Sequence, residues 1–325
     1  MLLELIGSTR VIFFGGKGGV GKTTVASSTA TALAAAGRRT LLVSTDPAHN
    51  LGHLWDRRIG DRITRVRDNL DVIELDPAAT TEEHLREVGH TMRAMMPEHL
   101  HGEVKKHLAL AATSPGTHEA AILERIATLV SEEADGYEHL VFDTAPSGHT
   151  SRLMALPELM AAWTDGLLDR RAKSEHLSAV VRGLSPTGRD HAVTGAPDPV
   201  DRRNQQLRSI LLKRRERFEQ LRSVLSNPDR CVFFIVFTAE RLPVLESAEF
   251  FDELRASGVR VGGCIINRRS PSDQGDFLAS RRRLEEEVLA GMSGKLKSLP
   301  RVELPLLPTD VTSTEGVEAF ARFLG

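Results

Sequence analysis

Seven short runs of β-branched, aromatic and aliphatic residues punctuate the chain, at positions 11–14, 40–44, 70–75, 139–143, 231–237, 259–267 and 301–304. Most are almost continuously apolar rather than alternating, the pattern of strands covered on both faces. Long amphipathic stretches separate them, as a parallel α/β arrangement requires. The Ala-rich segment 23–36, stopped by Gly37, is one such helix. Two regions leave the strand–helix rhythm. Positions 81–134 and 151–227 read as helical throughout, except that 183–200 (GLSPTGRDHAVTGAPDPV) carries three glycines and three prolines and predicts a mobile loop. The expected fold class is α/β, a mostly parallel sheet flanked by helices with an inserted helical subdomain. Its core is expected at 1–80, 135–150 and 228–325, and the insertions at 81–134 and 151–227.

The first apolar run leads into Gly15-Gly16-Lys17-Gly18-Gly19-Val20-Gly21-Lys22-Thr23-Thr24, and a helix follows. From Gly16 onward this is G-x-x-x-x-G-K-[ST], in the strand–loop–helix setting of a P-loop nucleotide-binding fold. Gly16, Gly18, Gly19 and Gly21, with Val20 between them, let backbone N–H groups turn inward around phosphate oxygens. The helix N-terminus at Thr23 and Thr24 adds its partial positive charge. Lys22 is expected to neutralise the phosphates and the Thr23 hydroxyl to ligate Mg²⁺.

Two further strings follow strand ends, Ser44-Thr45-Asp46-Pro47-Ala48-His49-Asn50 and Asp143-Thr144-Ala145-Pro146-Ser147-Gly148-His149-Thr150. A carboxylate at a strand C-terminus beside the loop can hold a Mg²⁺-bound water, which suits Asp143. A second carboxylate, Asp46, suits the orientation or deprotonation of an attacking water.

Lys17 extends the loop to GKGGVGKT, which resembles the deviant Walker A loop shared by the MinD, ParA, nitrogenase iron protein and ArsA proteins. STDPAHN and DTAPSGHT closely resemble the two switches of the ArsA arsenite-pump and tail-anchored-protein-targeting ATPase family. The similarity recurs at Ile265-Ile266-Asn267-Arg268 and at Leu304-Pro305-Leu306-Leu307-Pro308. It implies an ATP hydrolase that uses ATP and Mg²⁺ and works as a homodimer. It further implies that Lys17 reaches the partner's nucleotide, that Asp46 positions the water, that Asp143 serves magnesium, and that Glu240, Asn267 and Pro305 border the nucleoside. The chain departs from the targeting branch at positions 268–278 (RRSPSDQGDFL), where no C-x-x-C stands, so no zinc is expected. It departs from the arsenite-pump branch in having no cysteine within 81–227, so a thiolate site for arsenite is unsupported. A ParA-like positioning ATPase and a transport-energising ATPase are the alternatives.

The helical segments add a candidate surface. Leu153, Leu156, Met160, Trp163 and Leu167 recur at helical spacing, as do Leu85, Val88, Met92 and Met95. Such stripes are ordinarily core, but methionines concentrated here also suit an adaptable apolar groove. The resemblance implies an apolar helical client or membrane-protein partner for that groove. Segment 201–222 has eight basic residues against three acidic, and RRRLEEE at 281–287 pairs its charges along one helix face. Both are expected to be solvated surface.

Composition narrows the field. With 42 Lys and Arg against 44 Asp and Glu, the net charge of −2 disfavours binding to nucleic acid by bulk charge. Two cysteines, Cys231 and Cys264, cannot build a disulfide framework or a four-thiolate zinc site in one chain. The start, MLLELIG, lacks the basic region of a secretion signal, and no run reaches the ~20 apolar residues of a membrane span. The expected location is the cytoplasm.

Overall fold

The structure is a computed structural model that describes residues 1–46, 51–95, 98–112, 116–133, 135–148, 150, 154, 156–158, 160, 162, 165–166 and 199–325. Among them eight strands form one sheet: β1 (Val11–Gly15), β2 (Thr40–Ser44), β3 (Thr64–Arg67), β4 (Leu70–Glu74), β5 (His139–Asp143), β6 (Cys231–Thr238), β7 (Val261–Arg269) and β8 (Arg301–Pro305). Their order is β3-β4-β2-β5-β1-β6-β7-β8. Every neighbouring pair is parallel except β3 with β4. The α/β class with a mostly parallel, helix-flanked sheet is thus observed. The edge strand β3, sequence TRVR, escapes the apolar-run criterion because arginines fill its half-exposed positions.

Alternate residues of each central strand feed two cores, as the period of two demands. Val11, Phe13, Leu41, Val43, Phe142, Phe233 and Ile235 lie in one buried cluster; Ile12, Phe14, Leu42, Val141, Val232 and Phe234 lie in the other. The second face is covered by α1 (Leu2–Ile6), α2 (Lys22–Ala35), α3 (Leu51–Leu54) and, near the chain end, Val317, Phe320 and Leu324. Leu2 is fully buried and donates its N–H to the Leu324 carbonyl at 2.9 Å, so the first and last residues close one layer.

On the first face, helices follow in the order α4 (Pro77–Met95), α5 (His101–Ala112), α6 (Thr117–Thr128), α7 (Pro199–Ser226), α8 (Arg241–Ala256), α9 (Asp276–Ala290) and α10 (Gly294–Lys297), with α11 (Thr314–Ala321) returning to the other side. The segments expected as an insertion share the sheet's core. Ile122, Leu123 and Ile126 of α6 and Phe218 and Leu221 of α7 are buried in the same cluster as Phe13 and Phe233. Met154 joins that cluster, and Leu156 and Met160 pack against it. Leu153, Trp163, Leu167 and the loop at 183–198 lie outside the described residues, as does the Met95 side chain; Met92 is half-buried.

Segment 201–222 is not simply solvated. Arg214 pairs with Glu124 at 2.6 Å, Arg217 with Glu132 at 2.6 Å and Arg215 with Asp165 at 2.8 Å, tying α7 to its helical neighbours.

Candidate functional site

The central strands end together, and four strand-end segments converge there. β1 ends at Gly15, where a Cβ would strike the Phe233 ring, so that position takes glycine. Gly16 has φ 156°, and a Cβ there would meet the Val236 carbonyl. Gly19 and Gly21 have φ 81° and 91°, the left-handed region that glycine adopts without steric penalty. The loop therefore wraps back on itself before α2 begins at Lys22. The segment after β5 braces it: the Ser147 N–H donates to the Gly16 carbonyl at 3.1 Å and the Thr144 hydroxyl to the Phe14 carbonyl at 2.9 Å.

Buried polar groups collect at this end. Thr23 Oγ1 donates to Asp143 Oδ2 at 2.7 Å, and the Ser44 hydroxyl reaches the same oxygen at 3.5 Å. Asp143 is fully buried, and its Oδ1 has no hydrogen-bond partner among the described residues. Burial pushes the carboxyl up to about 7, against the opposing pull of Thr23 and Lys22. Lys22 is 5% exposed, and burial lowers its pKa while Asp143 and Asp46 raise it. Its Nζ donates to the Lys17 carbonyl at 3.1 Å. The Asp46 N–H donates to the Ser44 hydroxyl at 3.3 Å, which sets the second carboxylate beside the first. Residues 47–50 of that string lie outside the described residues.

An orphaned buried carboxylate oxygen beside a threonine hydroxyl is a hard oxygen donor set, so Thr23 and Asp143 fit Mg²⁺. The cysteines do not offer a metal site: Cys231 and Cys264 are buried in β6 and β7, and burial raises both thiols to about 12.

Two cavities flank the loop. One, of about 490 Å³, is lined by Lys17–Val20, Glu240, Glu246, Arg281 and Leu306 among others. The other, of about 300 Å³, is lined by Gly19, Gly21–Thr24, Asp46, His53 and residues 311–312. Glu240 stands at the first cavity and accepts from Arg281 at 2.8 Å. Pro305 closes β8 half-buried, and it is the next residue, Leu306, that lines the cavity. Asn267 lines neither. It is buried, with Nδ2 donating to the Val20 carbonyl and Oδ1 accepting the Arg268 N–H, each at 2.9 Å. It also fixes the residue at position 21, since any Cβ there would collide with its amide.

Lys17 pairs with Glu246 of α8 in the same chain, and the other oxygen of Glu246 is buried without a partner. Sequence reasoning passed over Glu246, because an acid in an exposed-looking helical stretch carries no local signal. It also misread RRRLEEE. Arg281–Glu285 and Arg282–Glu286 do pair, but Glu285 is 4% exposed and bonds Arg269 at 2.6 Å and the Ser270 hydroxyl at 2.6 Å. The partner that buries Glu285 comes from β7, which helix periodicity cannot show.

The sequence profile of the anion-transporting ATPases, ArsA_ATPase, matches residues 9–325. An Aquifex aeolicus protein whose name describes a second arsenical pump-driving ATPase is 29% identical over 97% of this chain and 99% of its own. ATPase ASNA1 homolog 1 of Paramecium tetraurelia is 29% identical over 96% of this chain and 91% of its own. The arsenical pump-driving ATPase of Escherichia coli is 30% identical over 94% of this chain but only 48% of its own length.

Proposed function

The chain belongs to the anion-transporting ATPase family and hydrolyses ATP, and from that premise we propose a Mg²⁺-dependent homodimer whose nucleotide state gates an apolar helical client. The observation that carries the reading is the cluster of buried Lys22 and Asp143 with half-buried Thr23 and Asp46 at the loop. Thr23 and Asp143 hold the metal, which when bound supplies positive charge to the β- and γ-phosphate oxygens. Lys22 turns from the Lys17 carbonyl to the phosphates, where its charge meets an anion instead of a neutral acceptor. Asp46 orients the attacking water and takes its proton. Glu240 and the Asn267 and Pro305 loops border the nucleoside.

Lys17 acts on the partner's nucleotide, which requires its pair with Glu246 to open. Side-chain truncation separates the roles. Lys17→Ala mixed with Lys22→Ala should recover part of the activity that each lacks alone, because the mixed dimer has one site with Lys22 from one chain and Lys17 from the other. No gain on mixing, with subunit exchange verified, removes the action in trans.

We assign the client region to residues 81–134 and 151–227. Among the described residues no helix is long and apolar enough to cross a membrane. A labelled transmembrane-length peptide should be retained by Asp46→Asn in ATP and released by wild type as ATP is hydrolysed. Equal retention without nucleotide would refute the gate.

A further inference from the structure

Two adjacent arginines end β7 and meet opposite fates. Arg269 is buried, with its guanidinium bonded to Glu285 at 2.6 Å, Glu286 at 2.5 Å and Glu303 at 2.8 Å. Arg268 is exposed, and its guanidinium makes no hydrogen bond or ion pair among the described residues. The backbone arranges this difference. Arg268 has φ 58°, a left-handed conformation that non-glycine residues seldom take, and the β7–β8 register breaks between Ile266 and Arg269. The break is fastened to the phosphate loop, since Asn267 accepts the Arg268 N–H and donates to the Val20 carbonyl. Strain of this kind persists only where its surroundings hold it, and it concentrates at ligand sites.

Arg268 lines both cavities beside the loop, the one with Lys17–Val20 and the one with Gly21–Thr24 and Asp46. It stands on the wall between them. The groups for the terminal phosphates, Lys22, Thr23 and Asp143, gather at the inner end, in contact with one another. Arg268 lies at the outer lip, with Leu306 bordering the first cavity and residues 311–312 the second.

We propose that Arg268 is a nucleotide ligand, its guanidinium engaging the α-phosphate where the phosphate chain passes into the nucleoside. This deepens the ATPase reading and rests on it. A guanidinium stays charged at every working pH and presents several donors in one plane, which suits a phosphate better than a neutral wall residue would. Because the α-phosphate is common to ATP and ADP, Arg268 should serve retention of both and have little part in the chemical step. It is a further cation for the nucleotide, held by strand β7, whereas Lys22 stands at the start of α2.

The test is calorimetric titration of ADP into wild type, Arg268→Ala, Arg268→Lys and Arg268→Gly at two salt concentrations. Arg268→Ala should weaken ADP about tenfold or more at low salt, the scale of one charge-assisted bond. The salt dependence should become shallower, and KM for ATP should rise far more than kcat falls. Arg268→Lys should fall between. Arg268→Gly, which relieves the left-handed strain, should keep the melting temperature and still lose affinity, so misfolding cannot mimic the result. Unchanged ADP affinity in Arg268→Ala overturns the inference. So does a loss with wild-type salt dependence, which would place the guanidinium against the base. If wild type itself binds neither ADP nor ATP while Lys22→Ala behaves identically, the nucleotide reading falls, and the inference with it.

Discussion

The loop end of the sheet and the helices packed on its first face bury side chains for opposite ends. At the loop, Lys22, Asp143 and one oxygen of Glu246 are withdrawn from water with few or no partners, which weakens the fold. In α6, α7 and the helical residues near 154–160, the buried groups are Ile122, Ile126, Phe218, Leu221 and Met154, whose removal from water drives folding. Its buried charges are paired, even though Arg214 Nε finds no partner among the described residues: Glu124 takes both Arg214 and His84, at 2.6 and 2.7 Å, and although burial alone would raise its pKa, these partners hold it below the usual range. One region gives up stability for chemistry, and the other supplies stability that the first lacks.

The sharpest way to break that contrast is at Asp46. Asp46→Asn should lower turnover by about 10²- to 10⁴-fold, the range for a lost general base, with ADP affinity nearly kept. Steady-state phosphate release at the wild-type rate would remove Asp46 from the reaction. Next in size, Lys22→Ala should weaken nucleotide about a hundredfold or more, because charge-assisted bonds to phosphate are lost. The same variant should melt no earlier than wild type, since the amine it removes is desolvated. Asp143→Asn should likewise lose turnover and melt later in metal-free buffer. A melting temperature lowered by either substitution would show that these buried groups support the fold, and the contrast would fail.

The reverse signature is expected at Met154, which is 5% exposed in the core cluster. Met154→Ala should cost about 2–5 kcal/mol in urea unfolding, the range for deleting a buried large side chain. Activity per folded molecule should hold. If unfolding free energy changes by less than about 0.5 kcal/mol, Met154 is not packed as core, and the stability assigned to this region would have to come from elsewhere.

This contrast also explains what was legible beforehand. Loop chemistry is local: Gly16, Gly19 and Gly21 answer backbone angles, and Lys22 and Thr23 follow at fixed spacing, so the string itself carries the geometry. Doubly covered strands announce themselves by unbroken apolar runs such as 231–237. The edge strand β3 does not, because its arginines face solvent and Arg65 binds Asp71. Helical spacing shows that Met160 lies on an apolar face but not what the face meets, and the structure sets it against the sheet's core. Glu246, Arg268 and Glu285 acquire their surroundings from segments distant in sequence. Lys17–Glu246 spans 229 positions, and no pattern within α8 could reveal it.

The smallest expected effect lies at the start of β5, at the far end of the strand from the phosphate loop. Tyr137, just before β5, donates its hydroxyl to Asp71 Oδ2 at 2.6 Å, while Arg65 Nε holds Oδ1 at 2.9 Å and Arg39 lies 5.0 Å from the ring centre. Burial and the bond to the Asp71 carboxylate push the phenol up to about 12. A folded value above the unfolded one, ~10, means that the neutral hydroxyl stabilises the protein fully below pH ~10. That contribution fades as pH rises through about 12. Tyr137→Phe should therefore cost about 1.5–3 kcal/mol at neutral pH, the scale of a hydrogen bond to a charged group, with Arg65 still holding the carboxylate. The gap between the two urea midpoints should narrow above pH ~10. Since the chain has a single tyrosine, tyrosinate absorbance reads this residue alone. Its titration midpoint should lie near the ordinary phenol value in urea and well above it in buffer. Coincident midpoints would mean that Tyr137 does not feel Asp71, and its place in the first face's core would then rest on apolar contacts alone.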